Sequence, residues 1–209
     1  MKKLILLTDE SVYGGLIFSG VAEIVDTLAN SLTEEYDVSI ICPDGTGHIP
    51  YTLSAELYRY NENVVYSEFS KVKYYMASQK NWDDSVFALL SELEMDIFHN
   101  FSTKANFIEA IKPGVKTILT FDNYYIMPGT QEILNKYDFI TTVADNYAIE
   151  TLDSNSKLGN YLRHCGDRFV PVISGISETA FNPKDGILTL TDYSSEYQEG
   201  KGICKRHLL

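Results

Sequence analysis

The sequence predicts an α/β protein with a Rossmann-like, doubly wound and mostly parallel sheet, and with helices on both faces. Short apolar runs without alternation recur along the chain, as parallel strands buried on both sides require. Segments with apolar residues at three- and four-residue spacing stand between them, the mark of helices with one buried stripe. A strand, a loop, a helix and a second strand also fit within the first 42 residues, the scale of one βαβ unit.

Lys3 to Thr8 is the first apolar run, followed by a glycine-containing loop from Asp9 to Gly20. Val21, Ala22, Ile24, Val25, Leu28 and Leu32 then form one helix face, with Ser19 placed as its N-cap. Glu34 to Asp37 turns the chain into a second buried strand, Val38 to Cys42, which Pro43 ends. A helix over Asp84 to Glu94 presents Val86, Leu89, Leu90 and Leu93 on one side. A strand at Asp96–His99, a helix at Asn106–Ile111 and a strand at Val115–Thr120 follow. Tyr137–Val143 is a further strand, Asn146–Leu152 a helix and Phe169–Ile173 the last strand. Beyond Pro183 the texture changes to a polar, irregular stretch, Thr189 to Glu199, and then a helix from Gly200. The domain division expected from this is residues 1–185, with 186–209 as a polar segment and the start of a crossover.

A hydrophobic share of 44% and a charged share of 22% fit a globular chain and argue against wholesale disorder. The balance of 17 Lys+Arg against 29 Asp+Glu gives a net charge of −12. Nucleic acid is therefore excluded as a partner, because no basic stripe is present to displace counterions from phosphates. Between Lys3 and Lys71 the only cation is Arg59, so an anion held by this third must use backbone N–H groups. The apolar run after Met1-Lys2-Lys3 stops at Thr8-Asp9-Glu10, too short for a signal peptide, and no stretch reaches a membrane span. Cys42, Cys165 and Cys204 are scattered, with neither disulfide nor metal spacing. The expectation is a cytoplasmic protein with no membrane, metal or cofactor requirement. Asn100-Phe101-Ser102 spells a glycosylation sequon, which that compartment leaves unused.

Gly15 to Gly20 has the glycine spacing of a Walker A loop, but Val21-Ala22 stand where Lys and Ser/Thr are needed. Adjacent Gly14 and Gly15 also break the dinucleotide fingerprint. What remains is a loop feeding a helix N-terminus, either a cradle for an anion or sugar or a tight connection. His99 ends a strand, and Asp122-Asn123 follow another, where α/β sheets place ligand contacts. Each also has a plain structural reading, a satisfied strand-end histidine and a turn-forming pair. No nucleophile–base arrangement emerges from the four histidines.

A family resemblance sharpens this pattern. Tyr137-Asp138-Phe139-Ile140-Thr141-Thr142-Val143 with Asn146-Tyr147-Ala148 resembles the "A-D-x-I-T-T-V-S-P-x-Y-A" stretch of bacterial glycogen and plant starch synthases. Lys157-Leu158-Gly159 with Leu162-Arg163 resembles their "L-x-G-L-L-R". Val172 to Ser177 with Phe181-Asn182-Pro183 resembles "G-I-x-N-G-I-D … W-N-P". Tyr193-Ser194, Gly200-Lys201 and Cys204-Lys205 resemble the "Y-S … G-K-x-x-x-K" that follows. Val21 to Val25 stands for "L-A-D-V-V", Asp96 to His99 for "D-V-V-H" and Thr120 to Asn123 for "T-I-H-N". The order is collinear across nearly the whole chain.

The resemblance implies the N-terminal, acceptor-side half of a GT-B glycosyltransferase, with a C-terminal half supplying most donor contacts. It implies transfer of glucose from ADP-glucose to the non-reducing end of an α-1,4-glucan, so the partners are a nucleotide-sugar and a glucan acceptor. The site residues it implies are Gly14, Gly15, Ser19, Gly20, His99, Asp122, Asn123 and Ser174. The departures are specific. The glycine loop has no lysine, and "H-A-H-D-W" becomes His99-Asn100-Phe101-Ser102-Thr103. Asp122 replaces a His, and Ser174 and Ser177 replace an Asn and an Asp. Without a cation facing the diphosphate, leaving-group charge goes unstabilised, so these residues alone should transfer little. Two alternatives follow: a non-catalytic relative that binds a glycan or partner, or a transferase for another nucleotide-sugar.

Overall fold

The computed structural model describes residues 1–10, 20–44, 56–121, 128–173, 191, 193–195 and 198–207, with the backbone alone of 12–13, 16–17 and 208. Two compact units divide the chain, Met1–Ser174 and Gly175–Leu209.

Among the described residues the first unit has eleven strands. They are β1 (Lys2–Leu7), the short pair β2 (Val12–Tyr13) and β3 (Leu16–Ile17), β4 (Tyr36–Pro43), β5 (Tyr58–Arg59), β6 (Val64–Phe69), β7 (Val72–Ala77), β8 (Ile97–Asn100), β9 (Lys116–Phe121), β10 (Phe139–Thr142) and β11 (Phe169–Pro171). All but the β2–β3 pair lie in one sheet of order β11-β10-β9-β8-β1-β4-β7-β6-β5. From β11 to β7 every pairing is parallel, and β6 and β5 add an antiparallel edge. Helices α1 (Gly20–Leu32), α2 (Trp82–Glu92), α3 (Gln131–Leu134), α4 (Asp145–Asp153) and α5 (Lys157–Leu162) connect the strands. The doubly wound fold expected from the sequence is the fold observed.

The unbroken apolar runs have a direct cause. Leu4 and Leu6 face one layer, with Ala22, Val25 and Ala29 of α1. Ile5 and Leu7 face the other, with Val86, Leu89 and Leu90 of α2. Leu6 and Leu7 are both fully buried, so each contributes roughly 1.5–3 kcal/mol by leaving water. A strand covered on both sides has no solvent face to mark with polar residues.

Two local expectations change. The helix expected over Asn106–Ile111 is a 3-10 segment, Ala105–Ala110. It has no side-chain cap, whereas the comparably short α3 and α5 are capped by Thr130 and Ser156. The β6–β7 hairpin has no counterpart in the sequence pattern. Its turn places Ser70 at φ 50° and Lys71 at φ 67°, the left-handed geometry that matches strand twist. Asn-Gly would have announced that turn, and Ser-Lys does not.

Gly159 opens the way for α5 to pack on the end of α4. A Cβ there would meet the Thr151 carbonyl oxygen at 2.3 Å and Ser154 Oγ at 2.6 Å. Arg163 then donates to the carbonyls of Leu152 and Ser154, closing the C-terminus of α4. In this chain the glycine–arginine motif therefore joins two helices. In the second unit, α6 (Glu199–Leu208) carries Lys205, Arg206 and His207 in its last turn, where they complement the helix dipole. Gly159→Ala is expected to destabilise the first unit by about 1–3 kcal/mol, the scale of overpacking against backbone. An unchanged thermal midpoint in that variant would contradict the close approach.

Candidate functional site

The chain runs outward from β1 to β4 and β7, then returns to place β8 on the other side of β1. Connections therefore diverge at the carboxyl ends of β1 and β8, which makes the crevice where open α/β sheets bind ligands. Thr8, Asp9 and Glu10 follow β1 at this end, and the turn from Phe101 to Lys104 follows β8.

Asn100 fixes that turn. It is fully buried, and its Nδ2 donates to the Lys104 carbonyl at 3.0 Å and to Tyr137 Oη at 2.9 Å. Its Oδ1 accepts from the Ser102 N–H at 2.8 Å, and Tyr137 Oη donates to the Ala105 carbonyl at 2.8 Å. Burial pushes the Tyr137 phenol well above its ordinary value, so it remains a donor. Across the crevice, Asp9 Oδ2 accepts from the Thr103 N–H and from Thr103 Oγ1, both at 2.6 Å. Asp9 Oδ1 is buried and has no hydrogen-bond partner among the described residues.

Glu10 occupies the place where an anion was expected. Its Oε2 accepts from the Ala22 N–H at 3.0 Å, one of the orphan donors of the α1 N-terminus. A side-chain carboxylate thus already complements this end of the helix dipole. Gly20 opens α1, is exposed, and has no heavy atom within 4 Å of where a Cβ would stand.

His99 is the sequence-derived candidate that the structure brings to the crevice. Its Nε2 lies 2.7 Å from Thr120 Oγ1, which lies 2.7 Å from Thr141 Oγ1, a polar ladder across β8, β9 and β10. Phe101 lies against the imidazole with ring centroids 4.1 Å apart. Burial pulls the imidazole down to about 3, which leaves the ring neutral. The described crevice thus offers hydroxyls, a neutral imidazole and carboxylates, suited to sugar hydroxyls. Its cation, Lys104, is held by Asp83 at 2.7 Å.

Gly14, Gly15, Ser19, Asp122, Asn123 and Ser174 lie outside the described residues. Sequence reasoning missed Asp9, Asn100, Thr103, Thr141 and Tyr137 as parts of this site. Asn100 and Thr103 stood in the stretch matched to "H-A-H-D-W", and Tyr137 and Thr141 in the stretch from Tyr137 to Val143, but neither match pointed to the contacts they make. Among the described residues, no cluster of three or more His, Cys, Asp or Glu could hold a metal, and no helix is long and apolar enough to cross a membrane.

Two consequences are measurable. Asn100→Ala strands buried N–H and C=O groups, so it should cost about 2–3 kcal/mol in denaturant unfolding, and a cost near zero would contradict the network. His99 has a folded-state pKa below its unfolded value, so unfolding takes up a proton between pH 6.5 and about 3. Stability from the neutral ring is complete above that window and is lost as pH falls through it, by up to about 1.4 kcal/mol per pH unit. His99→Gln should flatten this dependence, and equal slopes in both proteins would refute it.

No family model matches the chain. It is 35% identical over 75 residues to a glycogen synthase of Chlorobaculum tepidum, a match spanning 34% of this chain and 15% of that protein. The catalytic domain of starch synthase IV from Arabidopsis thaliana, bound to ADP and acarbose, superposes with a TM-score of 0.73 at 13% identity. That superposition covers 99% of this chain and 58% of the starch synthase domain. A trehalose 6-phosphate synthase of Burkholderia multivorans gives a TM-score of 0.45 over 73% of this chain and 42% of that one, at 12% identity. The chain therefore spans little more than half of the starch synthase domain it superposes on. It has the Rossmann-like architecture of a GT-B glycosyltransferase, with a sequence similar over 34% of its length to that of a glycogen synthase and a fold similar to that of a starch synthase.

Proposed function

We propose that this chain is the N-terminal, acceptor-side domain of a glycogen/starch synthase-like glycosyltransferase. In the whole protein it moves glucose from ADP-glucose to the non-reducing end of an α-1,4-glucan. The supporting observation is the crevice at the β1/β8 switch point, lined by hydroxyls, a neutral imidazole and carboxylates, in a fold that superposes over nearly its full length on a starch synthase. Residues 1–185 form the domain and 186–209 begin the crossover towards the donor-binding half. Gly14, Gly15, Ser19, Gly20, His99, Asp122, Asn123 and Ser174 are its candidate contacts to sugar or donor.

A second reading has its own support. His99 is neutral, pinned to Thr120 and covered by Phe101, so it is placed to bind and not to move protons. That favours a non-catalytic relative that holds a glycan or a partner. The experiment is ADP release and glucan lengthening by the whole protein, given ADP-glucose and maltoheptaose. Turnover supports the transferase, with the 209 residues alone expected to give none. Saccharide binding without ADP release supports the second reading, and release only from another nucleotide-sugar moves the assignment to that donor.

A further inference from the structure

The strand register sets Thr141 of β10 beside Thr120 of β9, and the imidazole of His99 reaches the same hydroxyl from β8. This ladder has two gaps, His99 Nε2 to Thr120 Oγ1 and Thr120 Oγ1 to Thr141 Oγ1, each of 2.7 Å. Contacts that short are hydrogen bonds, and each holds one proton. The two threonines bring one hydroxyl proton each, which fills both gaps.

A further proton on Nε2 would leave three for two gaps. Both threonines are buried, and among the described residues neither hydroxyl has a partner outside the ladder. With Nε2 as donor, one hydroxyl therefore points at no acceptor. With Nε2 bare, Thr141 donates to Thr120, Thr120 donates to Nε2, and every proton is used. A buried, unsatisfied donor shifts such a balance by about tenfold or more. Burial also holds the ring neutral, with its pKa pulled down to about 3, so it carries a single proton. That proton then sits on Nδ1, which has no hydrogen-bond partner among the described residues. Phe101 lies over one face of the ring, with centroids 4.1 Å apart.

We propose that Thr141 and Thr120 lock His99 in the tautomer protonated at Nδ1, making it a fixed N–H donor to an oxygen of the crevice ligand. The ring's lone pair lies on Nε2 and is engaged by Thr120, so His99 takes no proton from a sugar hydroxyl. It selects instead for what can accept. A hydroxyl, ring or glycosidic oxygen fits, and an ammonium group, having no lone pair, does not. The carboxylates of Asp9 and Glu10 would by themselves draw such a cation, so the imidazole adds a discrimination that charge does not supply. Thr120 and Thr141 are thus positioning residues that act through His99. That the oxygen belongs to an α-glucan rests on the function proposed above, whereas the tautomer does not.

Nitrogen-15 spectra of the histidine-labelled 209-residue chain near neutral pH test it, with His99 assigned by the signals lost in His99→Gln. A protonated ring nitrogen and a bare one resonate far apart, so the tautomer is read directly. The form with Nδ1 protonated and Nε2 bare should dominate by about tenfold or more. Thr120→Val should move the bare Nε2 signal further downfield, as a nitrogen that has lost its donor, and Thr120→Ser should keep the wild-type position. A proton on Nε2, averaged signals for the two nitrogens, or an Nε2 signal unmoved in folded Thr120→Val overturns the lock. Maltoheptaose at about 10 mM should move the Nδ1–H signal and leave Nε2 in place. A locked tautomer that maltoheptaose leaves unmoved, with no ADP release by the whole protein, would sink the glucan reading and spare the lock. ADP release with the proton on Nε2 would do the reverse.

Discussion

Burial of Asn100 is the constraint on which the crevice rests. A turn that follows a strand inside the protein must satisfy its polar groups with something other than water, and the turn after β8 finds that partner in one side chain. The amide spends both donors and its acceptor on Lys104, Tyr137 and Ser102, so the chain after β8 has one course. That course brings Thr103 to Asp9 and lays Phe101 against His99. Hydrophobic layers position the strands, but this polar network decides where the loop between them goes.

Charge divides the labour of the proposed reaction. The crevice supplies neutral donors and acceptors together with carboxylates, and its lysine is engaged by Asp83. Such a lining can orient hydroxyls. It cannot absorb the charge that develops on a departing nucleotide diphosphate, and Glu10 at the α1 N-terminus adds to the negative field there. Stabilisation of a leaving group therefore belongs to groups other than those described in this crevice. The net charge of −12 points the same way.

Legibility in the sequence followed the range of each interaction. β1, β4 and α1 could be read because the signal for each lies within its own residues. The β6–β7 hairpin could not, since Ser70 and Lys71 adopt a backbone that their chemistry does not advertise. In the crevice, His99 was legible from its position at a strand end. The Asp9–Thr103 contact joins residues 94 apart, and Asn100–Tyr137 joins residues 37 apart. Neither spacing follows a local rule, so only the assembled sheet reveals them.

The return of the chain to β8 also has a kinetic meaning. β1 meets its first neighbour, β4, across a single helix, whereas its second neighbour arrives more than 90 residues later along the chain. Closing that distance is slow compared with closing the hairpin, because loop entropy is lost before any contact repays it. A chain emerging from the ribosome thus holds Leu4 to Leu7 as one unpaired, apolar edge until β8 has been made. The strand at the centre of the finished sheet is, during synthesis, its most vulnerable border.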